Sequence, residues 1–351
     1  MVLSTMFLSR AGRWFLESGI EEPGGGVARY YRADQGKNLP VSTEITGYAA
    51  STYAYLFRVT GEPAYRDAAV RTARFLASEA WSRDAGTFPF ELAPGSPGYF
   101  FDCGIIVRGL RAVDAITGGA EFAPVAAACG ESMVRLYLTS EAIHPVVSLP
   151  GGAAWSYEKR WSREPGCFQL KSALAWRDLG MKDPWERALG MALASAPSFL
   201  PGTLEEEKIM DRLHAYCYFL EALLSETARP EVTAELRRSI DRVAGYLRAI
   251  RPKFERADVY AQLLRVRMFA DRLGVVPLQQ CQAEEEAAAL GGFQYPAEAE
   301  LRHAGGFSFG RKGGVLLPFV NPVSTGFALQ ALEMWRQYQE GRFEPALDQL
   351  I

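Results

Sequence analysis

Four carboxylates stand where helix-like, largely apolar segments begin: Glu44, Asp102, Asp211 and Asp258. His214 follows Asp211 by three residues, a spacing that puts both on one helix face. Two carboxyl groups, one protonated and one ionised, are what acid/base cleavage of a glycosidic bond requires. The same positions have a purely structural use. Acids in a first turn offset the positive helix end, typically by about 0.3–1 kcal/mol each, and Asp caps helices. Glu44 departs from that use. It is the lone charge from Leu39 through Phe57, and Ser42 or Thr43 already supplies a cap. A partial echo, NPVSTGFALQAL at 321–332, repeats the lead-in of LPVSTEITGYAAST at 39–52 without the acid. The helix start therefore does not require Glu44. A helix N-terminus lowers a carboxyl pKa, so an acid placed there needs burial or a second carboxylate to raise it. The expected neighbour is Asp102, on the next buried helix.

His214 lies between Leu213 and Ala215, where a hydrogen-bonded core histidine and a proton-transfer group are both open readings. Cys103, beside Asp102, reads as core packing. The spacing offers no Cys/His zinc set, and neither GGVARYY nor GRKGGV has the order of a phosphate loop. No metal and no cofactor are expected.

The elements that must position these residues alternate along the chain. Ile45 to Phe57 has no charge on any face, as befits a helix surrounded by protein, whereas 63–80 is amphipathic. The alternation continues as 100–118 with 121–138, 167–180 with 183–200, 210–226 with 230–250, and 257–274 with 276–290. Asp183 reads as the N-cap of its helix, with Pro184 in the first turn. The last segment, 321–341, takes the unpaired first helix, about residues 3–18, as its partner. That makes twelve helices, six buried and six exposed, in one all-α domain spanning 1–351. The connections 19–43, 81–99, 139–165 and 291–320 are long, and long ordered loops in a compact domain are usually functional. Their aromatic and glycine-rich pieces predict short strands or hairpins.

Six such hairpins resemble the (α/α)6 toroid of the six-hairpin glycosidase superfamily. That group includes unsaturated glucuronyl hydrolases, N-acylglucosamine 2-epimerases and the C-terminal domain of glucuronyl C5-epimerases. The local likeness is to toroids found with bacterial polysaccharide-biosynthesis genes, which carry a PEITGY helix start followed by a FDTG one. Here these read STEITGY at 42–48 and FFDCG at 100–104. The resemblance implies a saccharide ligand in a central pocket. It implies a glycosidase-like enzyme acting on a glycan or uronate-containing saccharide, or a non-catalytic saccharide-binding or assembly protein, or a sugar epimerase. The 2-epimerases use two histidines, and only His144 and His303, both in loops, remain to partner His214.

On this reading Glu44 and Asp102 lead the catalytic set, with Asp211, His214 and Asp258 in support. Tyr48, Phe101, Trp155, Tyr157, Arg163, Phe307 and Asn321 are candidate substrate-binding residues. Flat rings stack on the apolar faces of sugars, although they equally plug a rim. Arg29, Arg160, Arg163 and Arg311 would favour anionic ligands, although each also reads as solvated surface charge.

The bulk composition agrees. A net charge of −3 without a basic run argues against nucleic acid as a partner. No stretch approaches the roughly 20 apolar residues of a membrane span, and the N-terminus does not read as a signal peptide. Five scattered cysteines without a CxxC pair read as reduced thiols of a cytoplasmic protein. Nothing in the sequence speaks to the oligomeric state.

Overall fold

A computed structural model describes residues 2–158, 160–200, 206–251 and 253–351. Among them are twelve α-helices: α1 (Val2–Glu17), α2 (Thr43–Thr60), α3 (Pro63–Phe75), α4 (Phe100–Thr117), α5 (Ala123–Tyr137), α6 (Gln169–Asp178), α7 (Lys182–Phe199), α8 (Glu206–Leu223), α9 (Pro230–Ile250), α10 (Ala257–Arg272), α11 (Gln280–Gly291) and α12 (Pro322–Gln339). Each expected segment is a helix. Two starts differ. Asp183 lies inside α7, which begins at Lys182, so it does not cap it. Asp211 lies beyond the first turn of α8, which begins at Glu206.

The chain divides into two compact units. One comprises Glu21–Arg29 and Leu39–Phe199. Within it α2 packs on α3, α4 on α5 and α6 on α7, while α4 contacts both α2 and α6. The backbones of the inner helices approach closely because glycine stands at their crossings. A Cβ on Gly47 would lie 3.0 Å from Ile106 Cα, and one on Gly109 would lie 2.5 Å from Gly47 O. A Cβ on Gly104 would collide with the Ser172 hydroxyl and carbonyl of α6. The glycines of EITGY and FDCG thus set how near the first turns of α2 and α4 come to their neighbours. The loops of this unit hold one short antiparallel pair, Gly98–Tyr99 with Val146–Val147.

The other unit comprises Met1–Ile20, Tyr30–Asn38 and Leu200–Ile351. Here α8 packs on α9, α10 on α11 and α12 on α1, while α10 contacts α8 and α12. Every residue of α10 from Ala257 to Ala270 is buried. Two of these are arginines, and burial of a charge is tolerable only when it is paired. Arg265 pairs with Glu221 at 2.5 Å and donates to Gln330 Oε1 at 2.9 Å, and Arg267 pairs with Glu286 at 2.9 Å. Short strands again occupy the loops. Tyr31–Arg32 lies between Lys37–Asn38 and Phe319–Val320, and Gly310–Lys312 lies between Phe254–Arg256 and Val315–Leu316, all antiparallel. Among the described residues, no helix is long and apolar enough to cross a membrane.

Candidate functional site

In the first of these units the start of α2 is held from several sides. The Ser42 hydroxyl caps it, the Thr43 hydroxyl donates to Pro89 O at 2.7 Å, and Val27 N–H donates to the Thr46 hydroxyl at 2.9 Å. The start of α4 is fixed from α6, where the Ser172 hydroxyl reaches Phe100 O at 2.7 Å and Phe101 O at 3.0 Å. These anchors position Glu44 and Asp102, each in the first turn of its helix.

Neither carboxyl is neutralised by a direct partner. Among the described residues no hydrogen bond or ion pair holds Glu44, and Asp102 Oδ2 is buried without a hydrogen-bond partner. Asp102 is 4% exposed, whereas Glu44 retains some accessible surface. Burial pushes the Glu44 carboxyl up to about 7, against the pull of Arg29. Burial, then the Glu44 charge, then Cys103 hold Asp102 well above the usual carboxylate range, again against Arg29. Desolvation and like charge therefore outweigh the helix end, which alone would lower both groups. Both carboxyls thus hold a proton more strongly than an ordinary carboxylate does, Glu44 through burial and Asp102 through burial and the Glu44 charge.

Arg29 is the cation of this site, and it is already engaged. Its guanidinium pairs with Glu91 and lies 4.7 Å from the centroid of Phe90. Its Nε is buried without a partner. Behind Asp102, Cys103 is fully buried, 3.1 Å from the Thr87 hydroxyl and 3.8 Å from that of Tyr137. Hydrogen bonding from Cys129, with Thr87 and Tyr137, brings its thiol down to about 7 against the effect of burial.

Asp211, His214 and Asp258 form a separate cluster in the other unit, built around a residue that sequence reasoning passed over. Arg256, which immediately precedes α10, grips Asp258 with two bonds of 2.9 and 2.5 Å and reaches Asp211 at 2.7 Å. Burial alone would raise Asp258, but Arg256 and His214 bring it below its ordinary value. His214 Nδ1 lies 2.8 Å from Gln262 Oε1 and 3.4 Å from Asp258 Oδ2, a contact that requires the proton on Nδ1. Burial, helped by Arg256, pushes this imidazole down to about 4, so it is neutral at pH 7. Gln262 Nε2 is buried without a partner.

The candidate binding residues divide. Trp155 is half-buried, its indole N–H donating to the Ser148 hydroxyl at 2.9 Å, and the Arg163 guanidinium lies 5.4 Å from its ring. Tyr157 is 49% exposed with its hydroxyl 2.8 Å from His144 Nδ1. Phe101 is half-buried against Phe168, with ring centroids 6.0 Å apart. Three others are committed to the fold. Tyr48 is buried within α2. Phe307 is fully buried although its segment reads as an open loop, so its ring presents no face to a ligand. Asn321 caps α12, accepting from Val323 N at 2.8 Å and Ser324 N at 3.2 Å. Of the other loop histidines, His303 packs beside Tyr31 and Tyr295. Among the described residues, no group of three or more His, Cys, Asp or Glu side chains is placed to hold a metal ion.

No family model matches the chain, and no curated protein matches it by sequence. Solved structures match it in fold. A sugar epimerase from a ruminal bacterium aligns at a TM-score of 0.69 and 10% identity over 94% of this chain and 97% of that one. Cellobiose 2-epimerase from Bacillus thermoamylovorans aligns at 0.68 and 11% identity over 94% and 99%. An unsaturated glucuronyl hydrolase specific for heparin aligns at 0.67 and 11% identity over 96% and 98%. At such identities the likeness establishes the fold alone, an (α/α)6 toroid fold, mostly helical with a few short strands.

Proposed function

We propose that this protein is a carbohydrate-active enzyme whose acid/base pair is Asp102 and Glu44. The observation that carries the reading is the pairing of two raised carboxyls that no salt bridge neutralises, with Asp102 Oδ2 buried without a hydrogen-bond partner. Buried carboxyls of purely structural use are normally satisfied, as Asp258 is. In hydrolysis, protonated Asp102 would donate to the glycosidic oxygen while ionised Glu44 activates water or attacks the sugar carbon. The fold neighbours, a sugar epimerase, a cellobiose 2-epimerase and an unsaturated glucuronyl hydrolase, support a saccharide as the ligand.

A second reading rests on His214. A neutral imidazole oriented by Gln262 and Asp258 is suited to taking a proton from a carbon beside a carbonyl, as epimerisation of a reducing sugar requires. One experiment separates the two. The protein is incubated in D2O with a panel of neutral and uronate-containing saccharides, and products are read by mass spectrometry. Hydrolysis releases a new reducing end and is lost in Glu44→Gln. Epimerisation places deuterium on the carbon beside the carbonyl and is lost in His214→Gln. Saccharide binding without turnover of any panel member would contradict both readings and leave a non-catalytic binding protein.

A further inference from the structure

We propose that the loop 139–165 carries a second sugar-binding position, so that the ligand of the acid pair is an oligosaccharide and not a single sugar. The inference rests on the assignment of Glu44 and Asp102 to saccharide chemistry. It starts from two rings that are accessible yet fixed. Isolated surface aromatics are ordinary and need no explanation. Trp155 and Tyr157 differ in being held by their polar tips, the indole N–H on Ser148 and the phenol on His144, which leaves their apolar surfaces rigid. Pre-organised rings of this kind bind at low entropic cost.

The surroundings select the ligand. Arg163 lies over Trp155, pairs with Glu158, and interacts electrostatically with Tyr99. Ionic and hydroxyl groups therefore border both rings. That mixture suits a pyranose, whose C–H face stacks on an aromatic while its edge hydroxyls seek polar partners. A lipid or an apolar peptide would strand these charges.

The position is also continuous with the acid site. Arg29, the cation that acts on both Glu44 and Asp102, lies 4.7 Å from the Phe90 ring. Phe90 is 5.3 Å from Tyr99, which caps the helix that bears Asp102, and Tyr99 leads through Arg163 to Trp155. The run consists of three rings and two cations, a surface that one extended, hydroxyl-rich chain can follow.

The test measures binding of a disaccharide-to-hexasaccharide ladder to Glu44→Gln protein by calorimetry. Two ladders serve as probes, one of neutral gluco-oligosaccharides and one of alternating uronate-containing oligosaccharides. In whichever series binds, the hexasaccharide should bind about tenfold more tightly than the disaccharide, the order expected of one added aromatic stacking position. Trp155→Ala should bring that ratio near one, and Trp155→Phe should restore most of it. Tyr157→Ala, at an exposed position, should lower the ratio without disturbing the fold. Equal affinity across the ladder, or a ratio indifferent to Trp155, overturns the second position and leaves the acid-pair reading intact. Failure of every member of both ladders to bind overturns the acid-pair reading, and the inference with it.

Discussion

The carboxyls at Glu44 and Asp102 and those at Asp211 and Asp258 are written in similar sequence terms, yet they reach opposite electrostatic states. In both places an acid stands near the start of a helix buried on all sides. Around Asp258 the nearest cation, Arg256, is fully spent on the carboxylates, and the group is ionised and satisfied. Around Glu44 the cation that acts on both acids, Arg29, is paired with Glu91, and both carboxyls are raised above their ordinary values. Burial is common to the two regions, so it is the allocation of one arginine in each that separates a lowered, satisfied carboxyl from a pair of raised ones. Helix-start acids cannot be sorted into capping and chemistry until their cations are known.

The sharpest way to break this comparison is to remove one member from each region. Glu44→Gln or Asp102→Asn should lower kcat on the responsive saccharide by about 10²–10⁴-fold, the usual worth of a positioned acid or base. Thermal melting should be unchanged or higher in Glu44→Gln, which removes an uncompensated buried charge, and little changed in Asp102→Asn, which replaces a protonated acid by a neutral amide. Arg256→Met should do the reverse to the fold, since it strands two carboxylates. Urea denaturation should show a loss of about 3–5 kcal/mol. Cutting the half-exposed Arg29–Glu91 pair with Glu91→Gln should cost about 1 kcal/mol or less. Equal losses from Arg256→Met and Glu91→Gln would erase the distinction drawn here.

A smaller effect tests how the acids are brought together. Gly104→Ala places a methyl against Ser172, whose hydroxyl clamps the first turn of α4. Overpacking of this kind costs about 1–3 kcal/mol. It should also shift the pH optimum, because Asp102 moves with that turn. An unchanged pH profile would show that the helix crossing does not set the pairing.

The pH dependence of stability sharpens the contrast further, because the two regions carry opposite signs. Glu44 titrates at about 7 in the folded protein, above its ordinary 4.5. The folded state thus holds a proton that the unfolded chain releases, so this stabilisation is complete below about 4.5 and is lost as pH rises to 7. His214 titrates at about 4, below its ordinary 6.5, so its contribution is complete above 6.5 and is lost as pH falls toward 4. Asp258 adds stability above its ordinary value that disappears in acid. Between pH 4.5 and 6.5 the Glu44 and His214 slopes oppose each other. Glu44→Gln should make stability rise more steeply with pH across that window, by on the order of 1 kcal/mol per pH unit, in a urea-midpoint series. His214→Gln should tilt the same curve the other way.

Much of this was legible in the sequence, for identifiable reasons. The helices follow from periodicity and from uncharged runs, and the strand-bearing loops follow from their length and their glycine-aromatic pieces. Glu44 stood out because its helix already had a cap in Ser42. Its pairing with Asp102 followed from placing both on consecutive buried helices. What stayed hidden is what depends on distant partners. Glu91 lies 62 residues from Arg29, and no local pattern couples them. Arg256 looked like a charge in a loop, because its burial comes from strand pairing with residues near Gly310 and from helix packing. Asn321 was readable as a cap from its Asn-Pro start but was assigned to ligand binding, and Phe307 looked open because burial of a loop ring is a tertiary event.

The acid-pair reading requires Glu44 to titrate near neutrality beside a protonated Asp102. It is tested most directly by carboxyl ¹³C NMR titration of the protein, with the Glu44 resonance identified by its absence in Glu44→Gln. A Glu44 midpoint at about 7, with an Asp102 resonance whose midpoint falls in Glu44→Gln, is the result predicted. A Glu44 midpoint near the ordinary 4.5 would contradict it.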